Sequence, residues 1–306
     1  MSEPHVTDSV LPFVLERPGV RGRLVRMGPV IEKILTQHDH QEPVAQLLGE
    51  MLVMTCALSS LLKYDGVFTV QTKGDGPVGM CVSDMTTDGG LRGYIQADAE
   101  ALAKLLAQAP DGWPGARELF GDGHIAFTVD QGPDTERYQG IVELAGERVA
   151  EFLQHYFRQS EQLKTGVVLA AGRHDGTWRG GALLLQEMPE EGPQNDEPLG
   201  NDQEDSWRRS QVLLSTLSDA ELLDPAVTDE ALLYRLFHEE RVRVFKPRPL
   251  YLGCRCSRGR IEEILRSLPR DEVMAMKLDG EIVMTCQFCN IDFRFDEASL
   301  EAIYAA

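Results

Sequence analysis

Cys254-Arg255-Cys256, a gap of twenty-nine residues (257–285) and then Cys286-Gln287-Phe288-Cys289 form the stretch on which the reading of this chain turns. Two close thiol pairs brought together by a fold supply the four tetrahedral sulfur ligands of a structural zinc. The CxxC half has the common knuckle spacing. The CxC half departs from it, since most zinc ribbons use CxxC twice, and that departure carries information. Two residues apart, Cys254 and Cys256 can both face one metal and can also be oxidised to each other. A tetrathiolate zinc is therefore one resting state of the cluster and a pair of disulfides is another. Four unrelated buried thiols would not fall as two pairs.

Around this cluster the tail reads as a zinc ribbon with a helix between its halves. Ser257 is placed to cap a helix whose inner face is Ile261, Ile264, Leu265 and Leu268, ended by Pro269. Residues 281–285 and 291–295 alternate as a hairpin with CxxC on its turn. A unit of about sixty residues buries too little apolar surface to be secure alone. A structural zinc supplies roughly 10–16 kcal/mol of apparent folding free energy in small modules. Oxidation consumes the thiolate ligands, so metal and folding support leave together. The physics of the sequence is that of an oxidant sensor whose output is local unfolding.

Upstream, residues 187–205 (EMPEEGPQNDEPLGNDQED) hold eight acids, three prolines and no Lys or Arg, the composition of a mobile, solvated linker. After it come short helices with start signals: Ser218-Asp219-Ala220-Glu221 fits a capping box, and Thr228 caps 229–239. Val212, Leu213, Leu214, Leu217, Leu222, Leu223, Leu232, Leu233, Leu236 and Phe237 form a dense apolar set. Helices this short must dock on something, and on a loosely tethered segment such a surface is open to conditional exposure.

The first 185 residues read as an α+β domain. Residues 43–62 (PVAQLLGEMLVMTCALSSLL) are a long apolar helix, expected at its centre, and Cys56 inside it is a core thiol. Strands are expected at 66–71, 79–83 (with Cys81, another core thiol), 124–129, 165–171 and 181–185, and a helix packed on the sheet at 146–159. The expected organisation is a large N-terminal α/β-layered core (1–185), a flexible acidic linker with metastable helices (186–246) and a small zinc-binding redox-switch domain (247–306).

Composition narrows the function. The 306 residues carry a net charge of -19, which repels phosphate backbones and anionic membranes at long range. The tail, with eight Arg/Lys against ten Asp/Glu, offers no basic stripe for nucleic acid. No run of about 18 apolar residues exists to cross a membrane. The start (MSEPH) is not a secretion signal, so a reducing cytoplasm is expected, where paired thiols mean metal or redox chemistry. The match of 74–79 (GDGPVG) to GxGxxG is followed by another strand-like stretch and reads as a tight hairpin rather than a dinucleotide site. No P-loop and no HExxH exist. His38, His40, His124 and His174 read as surface residues. No catalytic constellation is present, and the chain is not expected to be an enzyme.

CxC-x29-CxxC, the RPLYLGCRCS lead-in (248–257) and MTCQFCN (284–290) together resemble the 33 kDa chaperonin family, the redox-regulated heat-shock holdases of bacteria. HYFRQSEQLKT (155–165), GGALLLQEMP (180–189) and LLYRLFHEERVRVFKPRP (232–249) look like family signatures in family order. The resemblance implies an ATP-independent chaperone of the stress response that is inactive while reduced, monomeric and loaded with one Zn2+ on Cys254, Cys256, Cys286 and Cys289. It implies that oxidation links Cys254 to Cys256 and Cys286 to Cys289, releases zinc, unfolds tail and linker, and yields a dimer that binds unfolding client proteins, with client binding and dimerisation in the core. The linker here is longer and more acidic than the family pattern. Two other readings remain beside it: a ribbon whose zinc only holds a protein- or nucleic-acid-binding surface, and a thiol–disulfide oxidoreductase built on CxxC, which lacks a thioredoxin-like βαβ context.

Overall fold

The computed structural model describes residues 8–16, 19–108, 113–132, 135–161, 164–188 and 200–305. It divides into two compact units, Met1–Leu252 and Gly253–Ala306.

In the first unit, strands β1 (Ser9–Leu15) and β2 (Val20–Met27) form an antiparallel hairpin. Helices α1 (Pro29–Leu35) and α2 (Glu42–Ser59) follow, then the meander β3 (Val67–Gly74), β4 (Val78–Thr86) and β5 (Gly90–Ala97). Next come α3 (Ala99–Gln108), α4 (Ala116–Phe120), the hairpin β6 (Gly123–Asp130) and β7 (Tyr138–Glu143), and α5 (Val149–Tyr156), which runs into a π-helical turn at Phe157–Glu161. The hairpin β8 (Thr165–His174) and β9 (Thr177–Glu187) precedes α6 (Gly200–Ser215), α7 (Asp219–Leu223) and α8 (Asp229–Phe237). Three short strands end the unit: β10 (Val242–Val244), β11 (Arg248–Pro249) and β12 (Tyr251–Leu252).

Two six-stranded sheets result. One runs β10-β1-β2-β9-β8 with β11 also on β1; the other runs β12-β5-β4-β3-β6-β7. Helix α2 packs on strands of both sheets. That is why fifteen of its residues are buried, leaving only Glu42, Gln46 and Glu50, four residues apart, as a narrow polar stripe. Glycines admit the close approach. A Cβ on Gly93 of β5 would lie 2.8 Å from Leu52, and one on Gly49 of α2 would lie 2.6 Å from Ala171 of β8.

The β1-β2-β9 sheet is buried on both faces, which explains the unbroken apolar run in β9. Its second face carries Leu11, Phe13, Leu15, Leu24, Leu183 and Leu185, covered by Leu214, Leu217, Leu222, Leu232, Leu233, Leu236 and Phe237. So the helices at 200–240 dock on the sheet, as their apolar set required. Of that set Val212 points to solvent. The capping box at Ser218 and the Thr228 cap on the Ala231 N–H are both present.

The segments that sequence reading set apart from the core, 186–246 and the start of the tail at 247, are in part woven into it. β10 and β11 pair with β1, and β12 pairs in parallel with β5, so the first unit ends at Leu252. Most of the stretch expected to be a mobile linker lies outside the described residues (189–199). From residue 200 it is helical: Glu204 and Asp205 suit the positive N-terminal end of α6, and half-buried Trp207 packs against the second core.

The strands expected at 66–71, 79–83, 124–129, 165–171 and 181–185 are present, and 74–79 forms the β3–β4 turn. Cys56 and Cys81 are fully buried core thiols, and burial pushes both pKa values up. His38 and His40 correct the expectation of surface residues. Both are half-buried, their rings 5.3 Å apart, and His38 meets the Tyr94 ring edge-on. Burial, then neighbouring His38, lowers the His40 pKa. His174 is also half-buried, whereas His124 is exposed.

Candidate metal centre

The second unit holds α9 (Arg258–Ser267), α10 (Arg270–Ala275), the hairpin β13 (Ile282–Thr285) and β14 (Asp292–Phe295), and α11 (Glu297–Ala305). Its core is Leu265, Val273, Ile282, Phe295, Leu300 and Ile303, a small set even for a domain of this size. Ser257 caps α9 by accepting from the Arg260 N–H. Ile261 and Leu268 pack on the core, but Ile264, expected on the inner face, is exposed. The Arg258 guanidinium sits 4.4 Å from the Phe295 ring centre and donates to the Arg294 carbonyl at 2.9 Å. The Tyr304 hydroxyl donates to the Leu265 carbonyl, closing α11 on α9.

The CxxC pair lies at the end of this hairpin. The Cys286 N–H donates to the Ile291 carbonyl at 3.0 Å, and the Asn290 N–H to the Cys286 carbonyl at 2.8 Å. Asn290 takes a left-handed backbone (φ 55), which Asn tolerates better than other side chains. Asn directly after CxxC was the available sequence signal for that turn. Cys254 and Cys256 stand in the extended lead-in to α9.

The four sulfurs all lie within 4.8 Å of one another. The Cys254–Cys256 and Cys256–Cys289 separations are 3.4 Å, and Cys254–Cys286 is 3.7 Å. A tetrahedral ion with sulfur at 2.3 Å spaces its ligands about 3.8 Å apart, so the cluster fits such an ion with little movement. Cys289 is buried and the other three are half-buried. Burial acts upward on the Cys254 thiol. Hydrogen bonds from the Cys256 backbone and from the thiols of Cys256, Cys289 and Cys286 outweigh it and bring its pKa down to about 7. Burial, with the neighbouring thiols, pushes Cys256 up, and burial also raises Cys289. One negative charge is thus easily held among four sulfurs, whereas four require a cation.

Comparison with known proteins agrees with this geometry. A family model described as Hsp33 protein matches residues 8–296. The chain belongs to the Hsp33 family. The 33 kDa chaperonin of Caulobacter vibrioides is 42% identical over 296 residues, covering 94% of this chain and 95% of that one. The 33 kDa chaperonin of Pectobacterium carotovorum is 36% identical, covering 97% and 96%. The crystal structure of the 33 kDa chaperonin of Thermotoga maritima shares the fold, with a TM-score of 0.77 over 98% of each chain at 20% identity. The family is one of chaperones, not of enzymes. No helix among the described residues is long and apolar enough to cross a membrane.

Proposed function

We propose that this protein is a redox-regulated, ATP-independent holdase of the cytoplasm, and that Cys254, Cys256, Cys286 and Cys289 are its switch. In the reduced form the four thiolates hold one Zn2+, which supplies most of the folding free energy of residues 253–306. Oxidation forms two disulfides, Cys254–Cys256 and Cys286–Cys289. Each releases two electrons to an oxidant such as peroxide, removes two ligands and frees the metal. The tail then unfolds, α6–α8 leave the sheet, and the apolar surface uncovered binds unfolding proteins. The oxidised form is a dimer and the reduced form a monomer.

The observation that carries this reading is the convergence of four thiols at metal-ligand spacing inside a unit with a very small core. The docked helices add to it: seven large apolar side chains of 214–237 are buried against one sheet face by helices of few turns. Each contributes about 1.5–3 kcal/mol while docked and would present the same apolar area to a client once released.

The test follows zinc with a chromophoric chelator while peroxide is added at raised temperature, with circular dichroism on the same sample. One zinc released per chain, a falling helix signal and newly acquired suppression of client aggregation are expected. Zinc loss without change of fold or activity would reduce the cluster to a structural role.

A further inference from the structure

Strand β7 lies at the end of its sheet, with β6 on one side and no strand among the described residues on the other. Its backbone alternation is fixed. The Leu144 N–H donates to the Gly123 carbonyl, so Val142, Gly140 and Tyr138 make the ladder bonds to β6. The N–H and C=O groups of Gln139, Ile141 and Glu143 therefore point away from the sheet. Sheets guard such edges with proline, lysine or a bulge. The β7 sequence, YQGIVE, has no proline and no lysine, its register with β6 is unbroken, and Glu143 is its only charge.

The side chains beside this edge are unusually greasy for a surface. Tyr138 is 59% and Ile141 58% exposed. Tyr138 also borders a cleft lined by Leu62, Phe127, Val129, Tyr156 and Phe157. An added strand would bond its backbone to β7 and set alternate side chains toward this cleft.

We propose that β7 is a docking edge for extended segments of unfolded polypeptide, which add to the sheet as a further strand. The inference rests on the reading of this chain as a chaperone and names a surface for its clients. Backbone pairing suits that partner because every unfolded sequence carries the same N–H and C=O groups, and only the side-chain cleft selects for apolar residues. A second copy of this chain is the alternative occupant, and the exchange experiment separates it from a client. β7 belongs to the folded core of its unit rather than to the segments proposed to unfold, so the edge is present in both redox states. With three outward residues it holds a client weakly. It acts by holding a client on the same molecule as the surface that oxidation uncovers, which raises its effective concentration there.

Amide hydrogen exchange on the full-length protein, reduced and oxidised, tests this with reduced, carboxymethylated α-lactalbumin as an unfolded probe. Gln139, Ile141 and Glu143 should gain protection with the probe, while Tyr138, Gly140 and Val142 stay as they were. Ile141→Pro removes an outward N–H and leaves the β6 ladder intact. It should weaken probe binding by the oxidised protein about tenfold, with zinc release unchanged. Unaltered exchange at the three outward amides overturns the proposal, as does wild-type binding by a folded Ile141→Pro protein. Protection that rises with protein concentration in the absence of probe assigns the edge to a second copy and also overturns it. If Ile141→Pro disturbs the sheet, the exchange data decide alone. Loss of oxidative activation in wild type would instead strike the redox reading and leave the exchange result standing.

Discussion

The Arg209 guanidinium lies 2.6 Å (Nε–Oε1) from the Glu240 carboxylate, fastening α6 to the turn that follows α8. Glu240 is almost wholly buried while Arg209 is half-exposed, so the pair is asymmetric. Removing the arginine strands a charge in the interior, whereas removing the acid leaves a solvated cation. Arg209→Ala should cost about 1–3 kcal/mol of helix docking, more than Glu240→Gln. Peroxide titration of client protection would show activation at lower oxidant in Arg209→Ala. An unchanged midpoint would mean that α6 is not part of the released surface.

Leu222 of α7 is fully buried and sits over Gly181 of β9, where a Cβ would lie 2.7 Å from the leucine Cγ. Leu222→Ala opens that contact and should destabilise docking by about 2–5 kcal/mol. Limited proteolysis of the reduced, zinc-loaded protein should then cut between 200 and 240 several times faster than in wild type.

Metal dependence predicts a one-sided outcome for the cluster. Cys286→Ser leaves three thiolates while keeping the backbone N–H and C=O that close the knuckle. Zinc content should fall well below one per chain, and the circular dichroism of α9–α11 should be lost without any oxidant. Retention of full zinc by this variant would argue for a ligand other than Cys286.

Two thiols should stay silent. Cys56 and Cys81 are fully buried and their pKa values are pushed up by burial. A thiol reagent should count four sites on zinc-stripped protein whose first unit stays folded, and six only in denaturant. The double variant Cys56→Ala, Cys81→Ala should release zinc to peroxide at the wild-type rate.

Glu50 of α2 gives a pH dependence. It lines a polar cleft of about 390 Å³ together with Arg148 and Glu151 of the α5 end and Asp219 of α7. Burial, reinforced by Asp219, raises its pKa from 4.5 to about 7, against the hydrogen bond from Gln46 and the charge of Arg148. A raised folded-state pKa means that the folded protein binds this proton more tightly than the unfolded chain. The associated stability is complete below pH 4.5 and disappears as pH rises through about 7. Glu50→Gln should remove this slope, gaining on the order of 2–3 kcal/mol at pH 8 relative to wild type and little at pH 5. Urea denaturation of both proteins at the two pH values measures the difference.

Much of this molecule was legible in local sequence. The caps at Ser218, Thr228 and Ser257 act within three residues, and the hairpin around Cys286 and Cys289 closes within fourteen, so short-range chemistry reveals them. What stayed hidden depends on partners far along the chain. Val242–Val244 and Tyr251–Leu252 are too short to declare themselves as strands, and they become strands only because Phe13 and Gly90 present open edges. The first turns of α6 read as solvated acid because their reason for folding, the sheet under Trp207 and Leu214, lies elsewhere in sequence. For the candidate site, spacing singled out the four thiols that the fold brings within 4.8 Å of one another. The shared charge around Cys254 was not legible, because it depends on sulfur distances that spacing does not state.

The weave of β10, β11 and β12 gives the chain a mechanical order. Between α8 and Cys254 the backbone is stitched first to β1 at two places and then to β5, so one thread fastens both sheets. A tug from the C-terminal end would pull the slack of a melted tail taut at Leu252 and there meet a clamp of paired strands. The tail and the helices at 200–240 are thus separated along the chain by these pairings to two different sheets. In the proposed release of both neighbours, this thread is what would still tie the two sheets to the chain on either side.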